Sequence, residues 1–444
     1  MRRKLFFLLL LFFLVGCVSS QNFESVKKGT IGEEETQNYQ IKKERIPKDY
    51  AYTQEDKVLL LSDDGEMIRR LNFQERVFVF RKKSKQSLVM DLYGNRGWVD
   101  QDLLSKRFVS DIDLPLEGVN YNLYTVKDKP YDNYTKTKGI YIAPYGEEFI
   151  DETIERMKDT PINTLVLDYH DDYGQVLFNS EVAAREVPEA NVQLYEDKQG
   201  LIKKLKDKGY HLIARIVAFK DPLYASSHQD KAIRHPDGSL LVSDGLYWNS
   251  PYDREVWEYL LDLSNEALEL GFDEIQFDYI RFPDNFDSDM LAFNEQDETR
   301  AEAIQKFIMY IQANLSNKDA IISADVFGWV AIEMADVTIG QQWEAISNVV
   351  DVISPMFYPQ LYGSGVFELA DPQAHPYEVI KISMDYALRR NSNVKTAAII
   401  RPWLQAWNYS TEEINEQIKA LDEAGIEEYL LWDVSGDYPK KGLN

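Results

Sequence analysis

From residue 139 to the C-terminus eight short apolar strand-like runs alternate with longer segments that carry helical spacing. The candidate strands are Gly139 to Tyr145, Asn163 to Asp168, His211 to Val217, Glu274 to Arg281, Ile321 to Phe327, Val350 to Met356, Ala397 to Pro402 and Tyr429 to Val434. Helical patterns lie between them: Glu147 to Lys158, Asp197 to Lys208, Val256 to Leu270, Ala301 to Leu315, Pro376 to Arg390 and Thr411 to Ala424. Glycines at 209, 271 and 425 close three of these just ahead of the next strand. Strands that alternate with helices pair in parallel with the helices outside, and eight such units over roughly three hundred residues predict an α/β fold, a closed (β/α)8 TIM barrel. An open doubly wound sheet calls for a Gly-rich phosphate turn. The chain has no Gly-x-Gly-x-x-Gly, P-loop, His-Glu-x-x-His or Gly-x-Ser-x-Gly pattern, and no cofactor is expected.

Barrel strands converge at their C-terminal ends, so the residues there define a candidate site. The fourth strand is the most informative: Gly271-Phe-Asp-Glu-Ile-Gln-Phe-Asp-Tyr-Ile-Arg-Phe-Pro283 puts Gln276 and Asp278 on the inward face and leaves Asp278 at the rim. The alternative is a carboxylate that caps the next helix or pairs with Arg281. The other strand ends contribute Asp168 with Asp171 and Asp172, Arg215 with Lys220 and Asp221, Asp325 with Trp329, Met356 to Gln360, Arg401 with Trp403 and Gln405, and Trp432 with Asp433. Carboxylates among aromatic rings are what glycoside hydrolysis needs: one carboxylate attacks or activates water, a second protonates the leaving oxygen, and flat rings stack on sugars. Arg215, Lys220, Gln276, Arg281, Tyr358, Arg401, Trp403 and Trp432 are the candidate substrate-binding residues. Arg215, Lys220 and Arg281 could equally form salt bridges with the rim carboxylates, and each ring could belong to the core. Asp284, Asp287 and Asp289 lack EF-hand spacing, and His170, His228, His235 and His375 lack paired ligand spacing, so no metal is expected.

The N-terminal third has a different organisation. Residues 1–17 carry a basic start, Arg2-Arg-Lys4, an apolar run from Leu5 to Val15, and Gly16 before Cys17. Leu14-Val-Gly-Cys17 resembles the lipobox of bacterial lipoproteins, which implies cleavage before Cys17, lipid on its thiol and an extracytoplasmic protein anchored to the cell membrane. The alternative is an ordinary secretory signal. Cys17 is the sole cysteine, so no disulfide or thiol nucleophile is available to the folded part. Residues 18–49 read as a polar tether. Residues 50–108 show short β-like runs, Val58 to Leu61, Arg76 to Phe80 and Ser87 to Tyr93, then Gly97-Trp-Val99 and Leu103-Leu104. They resemble a bacterial SH3-like domain, a small all-β barrel whose relatives often bind cell-wall peptide; a spacer without a ligand is the other reading. Residues 109–137 read as a linker and 138–444 as the barrel domain. The formal charge of -25 argues against a nucleic-acid partner and suits a neutral or cationic glycan.

Across the barrel the sequence resembles a bacterial family of glycoside hydrolase domains distantly related to the α-amylase-type barrels. The matching segments are Lys138-Gly-Ile-Tyr141, Val166-Leu-Asp168 with Asp171-Asp172, Ala214-Arg-Ile-Val217 with Phe219-Lys-Asp-Pro222, Gly271 to Pro283, Ser323-Ala-Asp-Val-Phe-Gly328, Val352-Ile-Ser-Pro-Met356, Ala374-His-Pro-Tyr377 and Arg401-Pro-Trp-Leu-Gln405. The resemblance adds Tyr141 to the substrate-binding candidates. It implies a nucleophile at Asp278 and an acid/base at Asp325; Asp168, at the end of the second strand, is the substitute acid should Asp325 not serve. Three departures stand against it: Gln276 replaces the arginine that amylases carry two residues before the nucleophile, Asp325 stands where their acid is a glutamate, and the seventh strand lacks their third aspartate. The fourth strand also resembles the chitinase motif, but Ile280 stands at the place of the chitinase acid and has no proton to give. The expected activity is hydrolysis of a cell-envelope or extracellular polysaccharide, and the alternative is a non-catalytic, lectin-like envelope lipoprotein.

Overall fold

The computed structural model describes residues 50–55, 57–71, 75–91, 95–105, 116–121, 134–286, 290, 292, 297–394, 397–439, 442 and 443. The signal segment with Cys17, the tether 18–49, residues 109–115 and 122–133 of the linker, and Asp287 and Asp289 lie outside them. The chain divides into two compact units, Met1–Val109 and Ser110–Asn444.

The first unit is a curled antiparallel sheet of seven strands: β1 (Tyr50–Thr53), β2 (Val58–Leu61), β3 (Met67–Leu71), β4 (Arg76–Lys83), β5 (Gln86–Met90), β6 (Arg96–Asp100) and β7 (Leu104–Ser105), in the order β3-β2-β6-β5-β4-β1-β7. Alternation along β2 turns Val58 and Leu60 inward and leaves Leu59 outside. They join Ala51, Leu71, Val77, Val79, Val89 and Val99 in an aliphatic core. Gly65 closes the Asp63-Asp-Gly65 turn at φ +82, and the Trp98 indole donates back to Asp63 at 2.7 Å. β1 and β3 were not legible: β3 buries only Leu71 completely, so its sequence shows no alternation.

The second unit is a closed barrel of eight parallel strand positions: β8 (Lys138–Ile142), β9 (Thr164–His170), β10 (His211–Val217), β13 (Glu274–Asp278), β14 (Ile321–Phe327), β15 (Val352–Phe357), β16 (Ile399–Ile400) continued by β17 (Trp403–Gln405), and β18 (Tyr429–Trp432), which pairs with β8. A small hairpin, β11 (Val242–Ser243) and β12 (Leu246–Tyr247), stands between the third and fourth positions. The seventh strand is interrupted at Pro402, which has no N–H to give. Six long helices are close to the expected spans: α1 (Glu147–Met157), α3 (Lys198–Asp207), α5 (Arg254–Leu270), α6 (Arg300–Asn314), α8 (Pro376–Ser392) and α9 (Thr411–Glu423). The short α2 (Glu181–Glu186), α4 (Pro222–Ser227) and α7 (Trp343–Ser347) had no periodic signal. α5 shows how they are fixed. Asp253 caps its start by accepting from Glu255 and Val256 N–H, Val256, Leu260, Leu263 and Ala267 recur on its buried face, and Gly271 at φ +116 ends it.

Inside, the barrel carries polar side chains stacked in levels. Glu274, Gln276 and Asp278 climb β13, and Arg401, Trp403 and Gln405 climb the seventh strand. At the lower end the fully buried Glu274 receives Arg401 on both oxygens, His211 at 3.1 Å and the Ser323 hydroxyl. Arg401 is therefore not a rim residue: it neutralises Glu274 at the opposite end of the barrel. Burial alone would raise the Glu274 carboxyl, but the charge of Arg401 and the bonds from His211 and Arg401 outweigh it and hold it at about 2. The stability this gives is whole above roughly pH 4.5, where an unfolded glutamate is ionised, and is lost as pH falls through about 2. Arg401→Met strands a buried carboxylate and is expected to lower stability by about 3–5 kcal/mol. Urea unfolding at pH 7 checks this, and an unshifted midpoint would show that the pair contributes nothing.

Candidate active site

Parallel register sets Asp168, Arg215 and Gln276 side by side on β9, β10 and β13. The Arg215 guanidinium, about 1% exposed, serves three carboxylates. Its Nη1 donates to Asp168 Oδ1 at 2.7 Å, its Nε and Nη2 to Asp278 Oδ2 at 3.0 and 2.6 Å, and its Nη2 to Asp172 Oδ2 at 3.2 Å. The other Asp168 oxygen accepts the Tyr141 hydroxyl at 2.6 Å. Burial pushes Asp168 up to about 6, against the pull of Arg215 and with a further push from Asp172. Asp172, half-buried, is held below the usual carboxylate range because Arg215 and Lys220 overcome desolvation. Lys220 lies 3.4 Å from Asp172 and 3.2 Å from the Tyr279 hydroxyl.

Asp278 ends β13, and Asp325 stands two residues before the end of the neighbouring β14. Phe277 pairs with Ala324, so the next residues along stand abreast on the inward face, on backbones about 4.8 Å apart. Asp278 keeps 11% of its side chain exposed and accepts the Tyr279 N–H at 2.7 Å on its second oxygen. Tyr279 adopts a left-handed φ of 49, a strained conformation for an aromatic residue, and there the chain leaves the sheet. The fourth strand accordingly stops at Asp278 instead of running on to Arg281. Asp325, 1% exposed, accepts the Trp403 indole N–H at 2.8 Å. Burial and then the neighbouring charge of Asp278 drive its carboxyl well above the usual range.

Aromatic rings line the same end. Trp432 stacks on Tyr141 at 4.2 Å, meets Trp403 edge-on at 5.4 Å and lies 5.3 Å from the Arg215 guanidinium. Tyr358 packs against Trp407 at 4.9 Å. The structure thus brings together Asp278, Asp325, Asp168, Tyr141, Arg215, Lys220, Tyr358, Trp403 and Trp432. It does not bring in Arg401, nor Arg281, whose guanidinium turns to Asp284 and lies over Trp248 and Phe327. Gln276 sits one level below Asp278, bonded to Ser354 at 3.4 Å. His170 is no loop residue: a bulge at Tyr169 pairs His170 with the outward Ile216, where its ring lies 2.7 Å from the Val217 carbonyl and 3.3 Å from Asp221. Asp172 and Tyr279 complete the network, and neither is among the catalytic or substrate-binding candidates drawn from the sequence. Position after a strand end was the signal available for Asp172, and nothing in the sequence marks the turn at Tyr279.

The sequence model of one family, described as "Putative glycosyl hydrolase domain", matches residues 139–438. The chain belongs to that family. No curated protein matches it. Among solved structures, the glycoside hydrolase domain of PgaB (BpsB) from Bordetella bronchiseptica is similar at 13% identity over 67% of this chain and 93% of that one, with a TM-score of 0.51. A hypothetical protein from Ruminiclostridium thermocellum shares 34% identity over 42% of this chain and 97% of its own, with a TM-score of 0.38. An α-galactosidase from Thermus thermophilus is 11% identical over 88% of this chain and 84% of that one, at 0.44. What the Bordetella domain shares with this family member is the barrel fold.

Tyr141→Phe removes the hydroxyl donor that lowers the Asp168 carboxyl, so Asp168 is expected to titrate above about 6. Carbon-detected NMR of labelled aspartate, assigned with Asp168→Asn, measures this; an unchanged midpoint would mean that the bond is absent in solution.

Proposed function

We propose that this barrel is a retaining glycoside hydrolase in which Asp278 is the nucleophile and Asp325 the acid/base. The carrying observation is two abreast carboxylates with unlike surroundings: Asp278 faces the mouth and is gripped by Arg215, whereas Asp325 is buried and driven toward its protonated form. Asp278 attacks the anomeric carbon as Asp325 gives its proton to the leaving oxygen, forming a glycosyl ester. Asp325 then takes a proton from water, whose oxygen displaces Asp278 and restores both groups. Neighbouring strands favour the short carboxyl separation of about 5–5.5 Å that retention uses over the 6.5–9.5 Å of inversion. The guanidinium that amylase-type barrels keep on the nucleophile's own strand comes here from Arg215, level with Gln276 on the next strand. Asp168, the substitute acid, is bound on both oxygens and serves this reading better as the anchor of Arg215.

The lipobox-like Leu14 to Cys17 supports a membrane-anchored lipoprotein, and the curled antiparallel sheet supports an SH3-like module directed at cell-wall peptide. Together they favour an envelope or extracellular polysaccharide as substrate. The second reading, a non-catalytic glycan-binding barrel, draws on the depth of Asp325 beneath the rim.

Reducing-end release from bacterial polysaccharides and peptidoglycan tests the chemistry. Asp325→Asn is expected to lower release by about 10²–10⁴-fold and Asp278→Asn by at least as much. The acid must be protonated, so activity should persist above the range of an ordinary aspartic acid and fall as Asp325 ionises, a limb that Asp325→Asn removes. Full activity in either variant would refute the pair. Cys17→Ser is expected to move the protein from the detergent to the aqueous phase on Triton X-114 partition, and retention of the variant in the detergent phase would overturn the lipid anchor.

A further inference from the structure

The rings nearest the paired carboxylates are turned against one another, which leaves them little free face. Two rings on the same end of the barrel behave differently. Tyr145 and Tyr173 are 63% and 64% exposed, on loops that leave the C-terminal ends of the adjacent strands β8 and β9. An aromatic ring standing in water forgoes the stabilisation its burial would bring, so a rigidly presented one suits a surface that closes over it.

Both are rigidly presented. Tyr173 crowns a turn built on the buried Asp171, whose Oδ1 accepts the N–H of Tyr173 at 2.9 Å and of Gln175 at 2.8 Å, while Gly174, at φ +79, donates its N–H to the Asp171 carbonyl at 3.1 Å. The residue between, Asp172, is held by Arg215, so the turn is tied directly to the site. Tyr145 stands four residues beyond Tyr141; its N–H donates to the Ala143 carbonyl at 2.8 Å, and its ring meets Phe149 at 5.1 Å in a T-shaped contact while most of it stays exposed. Next to it, in the first turn of α1, Glu147 pairs with Lys204 at 2.7 Å and Glu148 stands exposed, which leaves a carboxylate there to disfavour a polyanion.

We propose that Tyr145 and Tyr173 form a sugar-stacking subsite outside the cleavage point, and that it takes an uncharged pyranose chain leaving the mouth across the first two strand–helix loops. The inference rests on the glycan-site reading above and extends it outward.

The test is calorimetric titration of the full chain carrying Asp278→Asn with hexasaccharides of cellulose, xylan, starch and chitin, and with hexagalacturonate as the anionic control. Tyr145→Ala and Tyr173→Ala, each shown by circular dichroism to fold, are added in turn. At least one neutral hexasaccharide is expected to bind, each alanine to weaken it roughly 2–12-fold, and the disaccharide of the same sugar to bind equally to all variants. Alanine variants that bind like their parent, equal loss for the disaccharide, no neutral binder, or a preference for hexagalacturonate each overturn the subsite. Hydrolysis of the same oligosaccharides by the unmutated chain separates the two readings. Tyrosine-dependent binding without hydrolysis keeps the subsite and removes the hydrolase; hydrolysis indifferent to both tyrosines does the reverse.

Discussion

One buried guanidinium organises this barrel. Arg215 spends its donors on Asp168, Asp172 and Asp278, which come from two other strands and a loop. A charge this deep is tolerated only when its partners are in place, and each partner is tolerated only because of the charge. The arrangement therefore fixes the order of side chains around half of the mouth. It also gives the carboxylates unlike environments: Asp172 is held low, Asp168 is pushed up to about 6, and Asp325, which bonds to Trp403 rather than to a cation, is driven well above the usual carboxylate range by burial and then by Asp278.

The fold was legible because its signals are local. A helix that closes on Gly271 and a strand that alternates Ile275 and Phe277 with Gln276 and Asp278 can be read within a dozen residues. Inward direction was legible on the fourth strand too, since period two put Gln276 and Asp278 on one face. Height along the barrel axis was not. It depends on the stagger between strands that meet only after closure, and so Arg401 was expected at the mouth but lies at the base with Glu274. Arg281 was misjudged for a related reason: the left-handed turn at Tyr279 swings it off the strand, and nothing in the composition there announces it.

The bulge at Tyr169 belongs with these hidden features. It carries neither glycine nor proline, yet it moves His170 from the inward face to the outer layer, and the chain then returns to deliver Asp172 to Arg215. A sequence reading keeps the alternation running and would have aimed the imidazole at the substrate. The residues that complete the site beyond that point come from chain leaving the sheet, where periodicity stops being informative.

The interruption of the seventh strand has a mechanical meaning. Pro402 withholds one amide from the ladder on the side where its carbonyl accepts from Leu430, so the seam between the seventh and eighth strands lacks the bond that this amide would have made. Immediately above that gap sits Trp403, whose indole holds Asp325. At this point the wall leans on the buried Trp403 side chain and its bond to Asp325 as well as on backbone pairing.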